Sequence, residues 1–401
     1  MTVTVDLYSP DTYVAGPPHE AFDELRRTHG VWWQDMPDQP GFWVVLRHAD
    51  LVRVAREPTL FSAYEGGIVL EDLEPDSLEM LRGTLLSMDP PRHHDYRRPV
   101  APSFSRRVIA GLEDRIRGLC REIMAGAAAQ GDVEFVHDVT SKLPSQVIGD
   151  LMGLPPEDWD LIHRLAERNT SQQDADLAGD DGEDALTSSI EMAMYAIELA
   201  GRRRAEPPRE DLTTLLLQSD FGGAPMTDVD FGSFFVQLVT AGNDTTKTML
   251  SSGLLALLQH PEAMAEVRAE PSLIPGMVEE VLRWANPLHY FRRTATADTE
   301  LAGVAIARGD KVSMCYTAAN RDPAVFADPH RFDIHRDPNP HLSFGIGEHF
   351  CLGVHLARLE GRVFFEELLG SFATIELIGE PVRVRSNLNN ALKSLPVRLA
   401  A

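Results

Sequence analysis

The sequence predicts a mainly helical protein with small peripheral β-sheets, and three observations carry that prediction. Helical periodicity dominates residues 106–282, in segments such as 108–128, 186–204, 231–258 and 273–285. β-like segments are short: 41–46 near the N-terminus, 304–317, then 375–384 and Val397 near the C-terminus. Prolines cluster through 322–340, which reads as an ordered coil ahead of a last helix over 354–369. No repeat and no low-complexity linker interrupts the chain, so residues 1–401 are expected to form one domain.

Composition narrows the function. With 43% hydrophobic residues in 401, the chain can bury a large core and enclose a cofactor. Lys and Arg total 37 against 61 Asp and Glu, a net charge of -24, which argues against nucleic acid as a partner. Residues 1–10 lack both a cationic start and an apolar core, so no signal peptide is expected. The apolar runs, such as 249–258, are too short to span a bilayer. Three cysteines, Cys120, Cys315 and Cys351, make no disulfide framework, and a cytoplasmic location is expected. The segment 174–184 carries six acids among Gly, Ala and one Leu; it reads as a solvated loop, or as a lid over a pocket.

The strongest chemical signal is Phe344-Gly345-Ile346-Gly347-Glu348-His349-Phe350-Cys351-Leu352-Gly353, directly before the last helix. A cysteine at a helix N-terminus meets free N–H groups and the positive end of the dipole, both of which favour a thiolate. The glycines let the backbone approach a flat ligand. A lone cysteine is more often a buried structural thiol, the reading kept for Cys120 and Cys315. A second signal is Ala241-Gly242-Asn243-Asp244-Thr245-Thr246, polar residues set inside a long apolar helix. A Thr hydroxyl there can bond back to a carbonyl, and an acid beside an alcohol can relay protons. Thr227 and Asp230 resemble a capping box at that helix's start.

Further along, Asp89-Pro90-Pro91 opens a helix on which His93 and Arg97 share a face, suited to an anionic group. Arg92 begins the same stretch. Glu280-Val281-Leu282-Arg283 places an acid and a base at i,i+3, by itself a weak signal.

Together these segments resemble the cytochrome P450 family over roughly residue 10 to the C-terminus, in the family's order. The resemblance implies haem b held between the oxygen-binding helix and the helix after the cysteine loop, with Cys351 as the iron ligand. A thiolate on haem iron favours O–O cleavage. Phe344 and Gly353 then belong to the haem-binding loop, and Ala241 and Gly242 leave room for a diatomic ligand. His93, Arg97, Arg293 and His349 match propionate-binding positions; Arg92 stands where the family often has an acid. Asp244 is implied in proton delivery and Thr245 in steadying oxygen as it is reduced. Glu280, Arg283 and Arg331 match a structural network behind the cysteine loop.

The same resemblance places Gln237, Thr240, Ala241, Leu288, His289 and Phe291 around the substrate, with 62–87 and 169–184 as the roof. His289 is more often a packing residue. The run from Phe291 to Asp322 resembles actinobacterial members acting on sterols and methyl-branched lipids. The expected activity is hydroxylation of such a molecule with O₂ and electrons from a separate ferredoxin and its reductase. A basic docking patch of Arg98, Arg106, Arg358 and Arg362 is expected on the cysteine side. The enzyme is expected to be a monomer. A terpenoid or macrolide hydroxylase is the nearer alternative; a peroxide-driven variant, or an inert haem-binding protein or sensor, is the more distant one.

Overall fold

The longest apolar stretch of the sequence becomes the axis of the fold. In the computed structural model, which describes residues 5–178 and 185–400, Asp228–Gln259 is one helix. From Thr246 to Leu257 it is buried on every side, as an all-round apolar helix must be. Thr227 caps it by accepting the Asp230 N–H at 3.1 Å. The same hydroxyl donates to the Asp230 carboxylate at 2.7 Å. That bond stands where a reciprocal box would send the carboxylate back to the Thr227 backbone.

Among the described residues, the longer helices packed on this axis are Lys142–Met152, Trp159–Thr170, Ala185–Ala205, Ile274–Ala285 and Val354–Ser371. The last, which follows Cys351, approaches closely because residue 253 is glycine. A Cβ there would lie 2.6 Å from the Phe365 ring.

The main sheet lies to one side. Its spatial order is Val31–Met36, Gln39–Val45, Lys311–Cys315, Tyr290–Ala295, Phe61–Ser62. The middle pairing, Gln39–Val45 with Lys311–Cys315, is parallel, and the others are antiparallel. Strands Val31–Met36 and Tyr290–Ala295 were not expected from the sequence. The second matters most, because side chains two apart on a strand share a face: it sends Phe291 and Arg293 the same way. A smaller sheet joins Asp132–Glu134, Pro396–Ala400 and Thr374–Leu377. The proline-rich 322–340 holds neither helix nor strand, as expected.

That coil is held by a buried ionic network. Glu280 and Arg283 are both fully buried and paired through two bonds of 2.7 and 2.8 Å. Arg283 also donates to the carbonyls of Asn320, Pro329 and Arg331 at 2.8–3.0 Å. The third side chain is Arg336, not Arg331. Arg336 Nε lies 3.3 Å from Glu280 Oε2, whereas Arg331 is exposed and lends only its carbonyl. Helical periodicity stops at Ala285, so spacing within the coil did not mark which arginine turns inward.

The acidic segment is also more than a solvated loop at its start. Asp174 is buried, contacts Lys393 at 3.0 Å through both oxygens and accepts the Arg385 N–H. It fastens the end of Trp159–Thr170 to the C-terminal strands. Asp180, Asp181, Glu183 and Asp184, on which a lid reading also rests, lie outside the described residues. Among the described residues no helix is long and apolar enough to cross a membrane.

The network makes a discriminating prediction. Arg336→Ala leaves buried Glu280 undercompensated and is expected to lower stability by about 3–5 kcal/mol. Arg331→Ala should cost no more than about 0.5 kcal/mol. Urea denaturation of the two variants checks this; equal losses would return Arg331 to the network.

Candidate functional site

The cysteine loop is a tight structure made by its own backbone. The Cys351 N–H donates to the Phe344 carbonyl at 2.8 Å, and Gly345 N–H to Leu342 at 2.8 Å. Gly345 and Gly347 have φ of +66° and +77°, a region that favours glycine. At Gly347 space is decisive too, since a Cβ would lie 2.5 Å from the Ala55 carbonyl oxygen. The helix Val354–Ser371 starts three residues after Cys351, so the sulfur sits at a helix N-terminus. Burial pushes the Cys351 thiol up, while the Gly353 N–H, Arg97 and Arg358 pull it down.

Arg97, on the helix Arg92–Val100, braces this loop from outside. It donates to the Phe350 carbonyl at 2.6 Å and to the Glu348 carbonyl at 3.3 Å. His94 and Glu348 meet at 2.6 Å beside it. Arg358 stacks on the Phe344 ring, 5.0 Å from its centre.

Between this loop and the central helix lies a cavity of about 1520 Å³ of space between atoms, its open mouth included. One wall is Cys351 with Phe344, Gly353, Leu356 and Ala357; the facing wall is Ala241, Gly242, Thr245 and Thr246. At one end His93, Arg97, Arg293 and His349 converge. The His93 and His349 rings are 4.5 Å apart, and both nitrogens of His93 and Nε2 of His349 are buried without a partner. Arg293 is buried and, among the described residues, donates only to the Arg292 carbonyl. Burial, with Arg293 adding to it, pushes His349 down to about 2. Burial, with Arg97, takes His93 to about 4. Two neutral imidazoles, the buried Arg293 guanidinium and the half-buried Arg97 guanidinium are a set of donors shaped for carboxylates. With the Cys351 sulfur on the adjoining wall, the donor set fits a haem.

On the central helix the two residues of the acid–alcohol pair point different ways. Thr245 lines the cavity and donates to the Ala241 carbonyl at 2.8 Å. Asp244 is buried off the cavity wall, hydrogen-bonded to the Thr170 hydroxyl. Its other oxygen lies 3.1 Å from Lys247 Nζ, off the hydrogen-bonding direction. Lys247 is itself buried and donates to Glu167 at 2.8 Å. Burial alone would lower the Lys247 ammonium; Asp244 and Glu167 outweigh it and raise the group. Next to this cluster Asn243 meets His163 at 2.7 Å.

Of the residues assigned to the substrate, Gln237, Ala241, Leu288 and Phe291 line the cavity, and Thr240 and His289 do not. Thr240 is half-buried with its hydroxyl shielded and unpartnered. His289 packs against the Tyr13 ring at 4.5 Å and bonds the Thr317 hydroxyl at 2.9 Å, just before the strand that turns Phe291 inward. From the roof segments, Leu85 and Leu86 line the cavity; none of residues 169–178 does. Sequence reasoning missed Phe234 and Leu238, which helical spacing from Ala241 implies, and Ile148, Pro287 and Glu360, which nothing marks. Burial pushes the Glu360 carboxyl up to about 8, so it is protonated at neutral pH. The basic patch is thinner than expected. Arg98 and Arg106 are exposed, but Arg358 is paired with Glu279 and Arg362 with Glu113 and Glu366.

Known proteins bear on this geometry. The family profile described as Cytochrome P450 matches residues 178–386. A steroid C26-monooxygenase of Mycolicibacterium smegmatis is 36% identical over 94% of this chain and 89% of its own length. A methyl-branched lipid omega-hydroxylase of Mycobacterium tuberculosis is 37% identical over 94% and 90%. A Mycobacterium marinum cytochrome P450 solved with pseudoionone superposes with a TM-score of 0.91 at 36% identity, covering 99% of each chain.

The converging donors carry their own prediction. Arg293→Leu removes a charged partner of a haem carboxylate, an interaction of roughly 1.5–3 kcal/mol. Transfer of haem to a scavenging globin should then be faster by about tenfold or more. Arg98→Leu, at an exposed position, should leave the rate unchanged. Equal rates for Arg293→Leu and the unaltered protein would contradict the assignment.

Proposed function

The chain belongs to the cytochrome P450 family, and from that premise we propose that it hydroxylates a sterol or a methyl-branched lipid, taking electrons from a separate ferredoxin. It is a monooxygenase of that family, with the family's haem iron cofactor. The observation that carries the proposal is the cavity: a sulfur on one wall, a threonine on the other, carboxylate donors at one end and apolar side chains around the rest.

Bound between those walls, haem supplies the oxygen activation that no side chain can perform. Cys351 would be its iron ligand, and His93, Arg97, Arg293 and His349 would hold its carboxylates. A b-type haem is proposed because none of the three cysteines lies in a Cys-x-x-Cys-His attachment sequence. The protein's own contribution is positioning and proton supply. Leu85, Ile148, Phe234, Leu238, Leu288 and Phe291 present an apolar surface that excludes water and orients the substrate. The Thr245 hydroxyl, back-bonded to Ala241, is held at the cavity face as the last proton-carrying atom. Asp244 is the group behind it that supplies that proton, and Lys247 with Glu167 sets its orientation.

The relatives named for steroid and methyl-branched lipid oxidation support the substrate class. The neighbour solved with pseudoionone supports a terpenoid as the second reading. Arg98 and Arg106 remain exposed near the cysteine loop for an acidic ferredoxin. A monomer in the cytoplasm completes the proposal; three unbridged cysteines support that compartment.

The test is turnover with a surrogate ferredoxin and reductase on a sterol ketone and a methyl-branched lipid. The unaltered enzyme should yield hydroxylated product. Thr245→Ala should continue to consume NADH, with product per NADH down by about tenfold or more and hydrogen peroxide making up the difference. Unchanged coupling in that variant would remove Thr245 from proton handling, and no product from either substrate would overturn the substrate class.

A further inference from the structure

Gln237, Ala241 and Thr245 follow one another at helical spacing, so they share one face of the central helix, and all three line the cavity. Their polarity is uneven. The Thr245 hydroxyl is already committed to the Ala241 carbonyl. The neighbours of Gln237 on the wall, Phe234 and Leu238, are apolar. The Gln237 side-chain oxygen is buried and meets no donor. A buried amide group left unpaired costs about 1–3 kcal/mol, and such a group in a folded protein requires a reason.

We propose that Gln237 is the polar anchor of the substrate site. Its Oε1 accepts a hydrogen bond from a hydroxyl carried by an otherwise hydrophobic molecule. Gln237 precedes Thr245 by eight residues, about 12 Å along the helix at ~1.5 Å per residue. The anchor therefore holds the polar end of the substrate about two helical turns from the Thr245 end of the wall, so the carbon that is oxidised is remote from the polar atom. A ketone could accept only from the amide N–H and would leave Oε1 unpaired, so an alcohol is preferred. A hydrocarbon of the same shape leaves the amide unpaired. This inference rests on the monooxygenase reading and narrows its substrate to molecules with one polar end.

The experiment is a spin-state titration of the ferric, haem-loaded enzyme with long-chain primary alcohols and the alkanes of matching length. The unaltered enzyme should bind its best alcohol about five- to tenfold more tightly than the matching alkane. In Gln237→Leu, close to isosteric, the preference should vanish while alkane affinity is kept. No preference in the unaltered enzyme, or the same preference in Gln237→Leu, would overturn the assignment. The reduced carbonyl spectrum of each preparation separates the two levels. A thiolate-type spectrum in both means the result judges Gln237 alone; its absence from the unaltered enzyme overturns the monooxygenase reading and the anchor with it.

Discussion

The structure is organised around holding one sulfur atom still. Cys351 must stay at the N-terminus of Val354–Ser371 and face the cavity, and elements far apart in sequence contribute to that. The loop's own N–H groups close it on Phe344 and Leu342. Arg97 clamps it through two backbone carbonyls, and Gly347 rests against the Ala55 carbonyl. From behind, the Ser343 hydroxyl donates to Leu282, and Asn320 bonds both Ser343 and the Leu342 N–H. The Glu280–Arg283–Arg336 network fixes the coil that delivers those groups. A flexible loop would let the thiolate swing; this one is tied to the same helix, Ile274–Ala285, that packs on the central axis.

Charge is then sorted around the cavity by what each wall must do. The groups suited to carboxylates stand together at one end, where both nitrogens of His93 and Nε2 of His349 are unpartnered among the described residues. Across the central helix Asp244, Lys247 and Glu167 form a buried group in which each charge has an opposite neighbour. Between these regions the walls are mostly apolar, with Gln237, Thr245 and Thr246 as polar groups on the central helix. A buried ion group costs desolvation wherever it lies, so its position behind Thr245, rather than on the surface, is consistent with a part in proton supply.

What was legible in the sequence was what local spacing decides. The cysteine loop is contiguous, the acid–alcohol pair is contiguous, and His93 and Arg97 share a helix face by arithmetic. The longer helices packed on the axis include segments recognisable from their periodicity. What was not legible depends on tertiary direction. Arg331 and Arg336 stand in the same coil, and only the packed structure says which turns inward. His289 belongs with Tyr13 because it stands one residue before the strand that begins at Tyr290, so the facing rule that pairs Phe291 with Arg293 does not extend back to it. Lys247 lies three residues after Asp244, yet an ammonium in an apolar helix makes sense only once Glu167 arrives from another helix. Asp174 reads as part of a solvated acidic run until Lys393, far along the chain, is seen to cover it.

We propose that Cys351 alone supplies the iron's sulfur ligand, and the reduced carbonyl spectrum is the decisive measurement. The unaltered protein, Cys120→Ser and Cys315→Ser should all give the thiolate-type spectrum, since both other cysteines are buried in the core. Cys351→Ser should lose it while still binding haem through His93, Arg97, Arg293 and His349. A thiolate-type spectrum that survives in Cys351→Ser, or disappears in Cys120→Ser with the fold intact, would contradict the account.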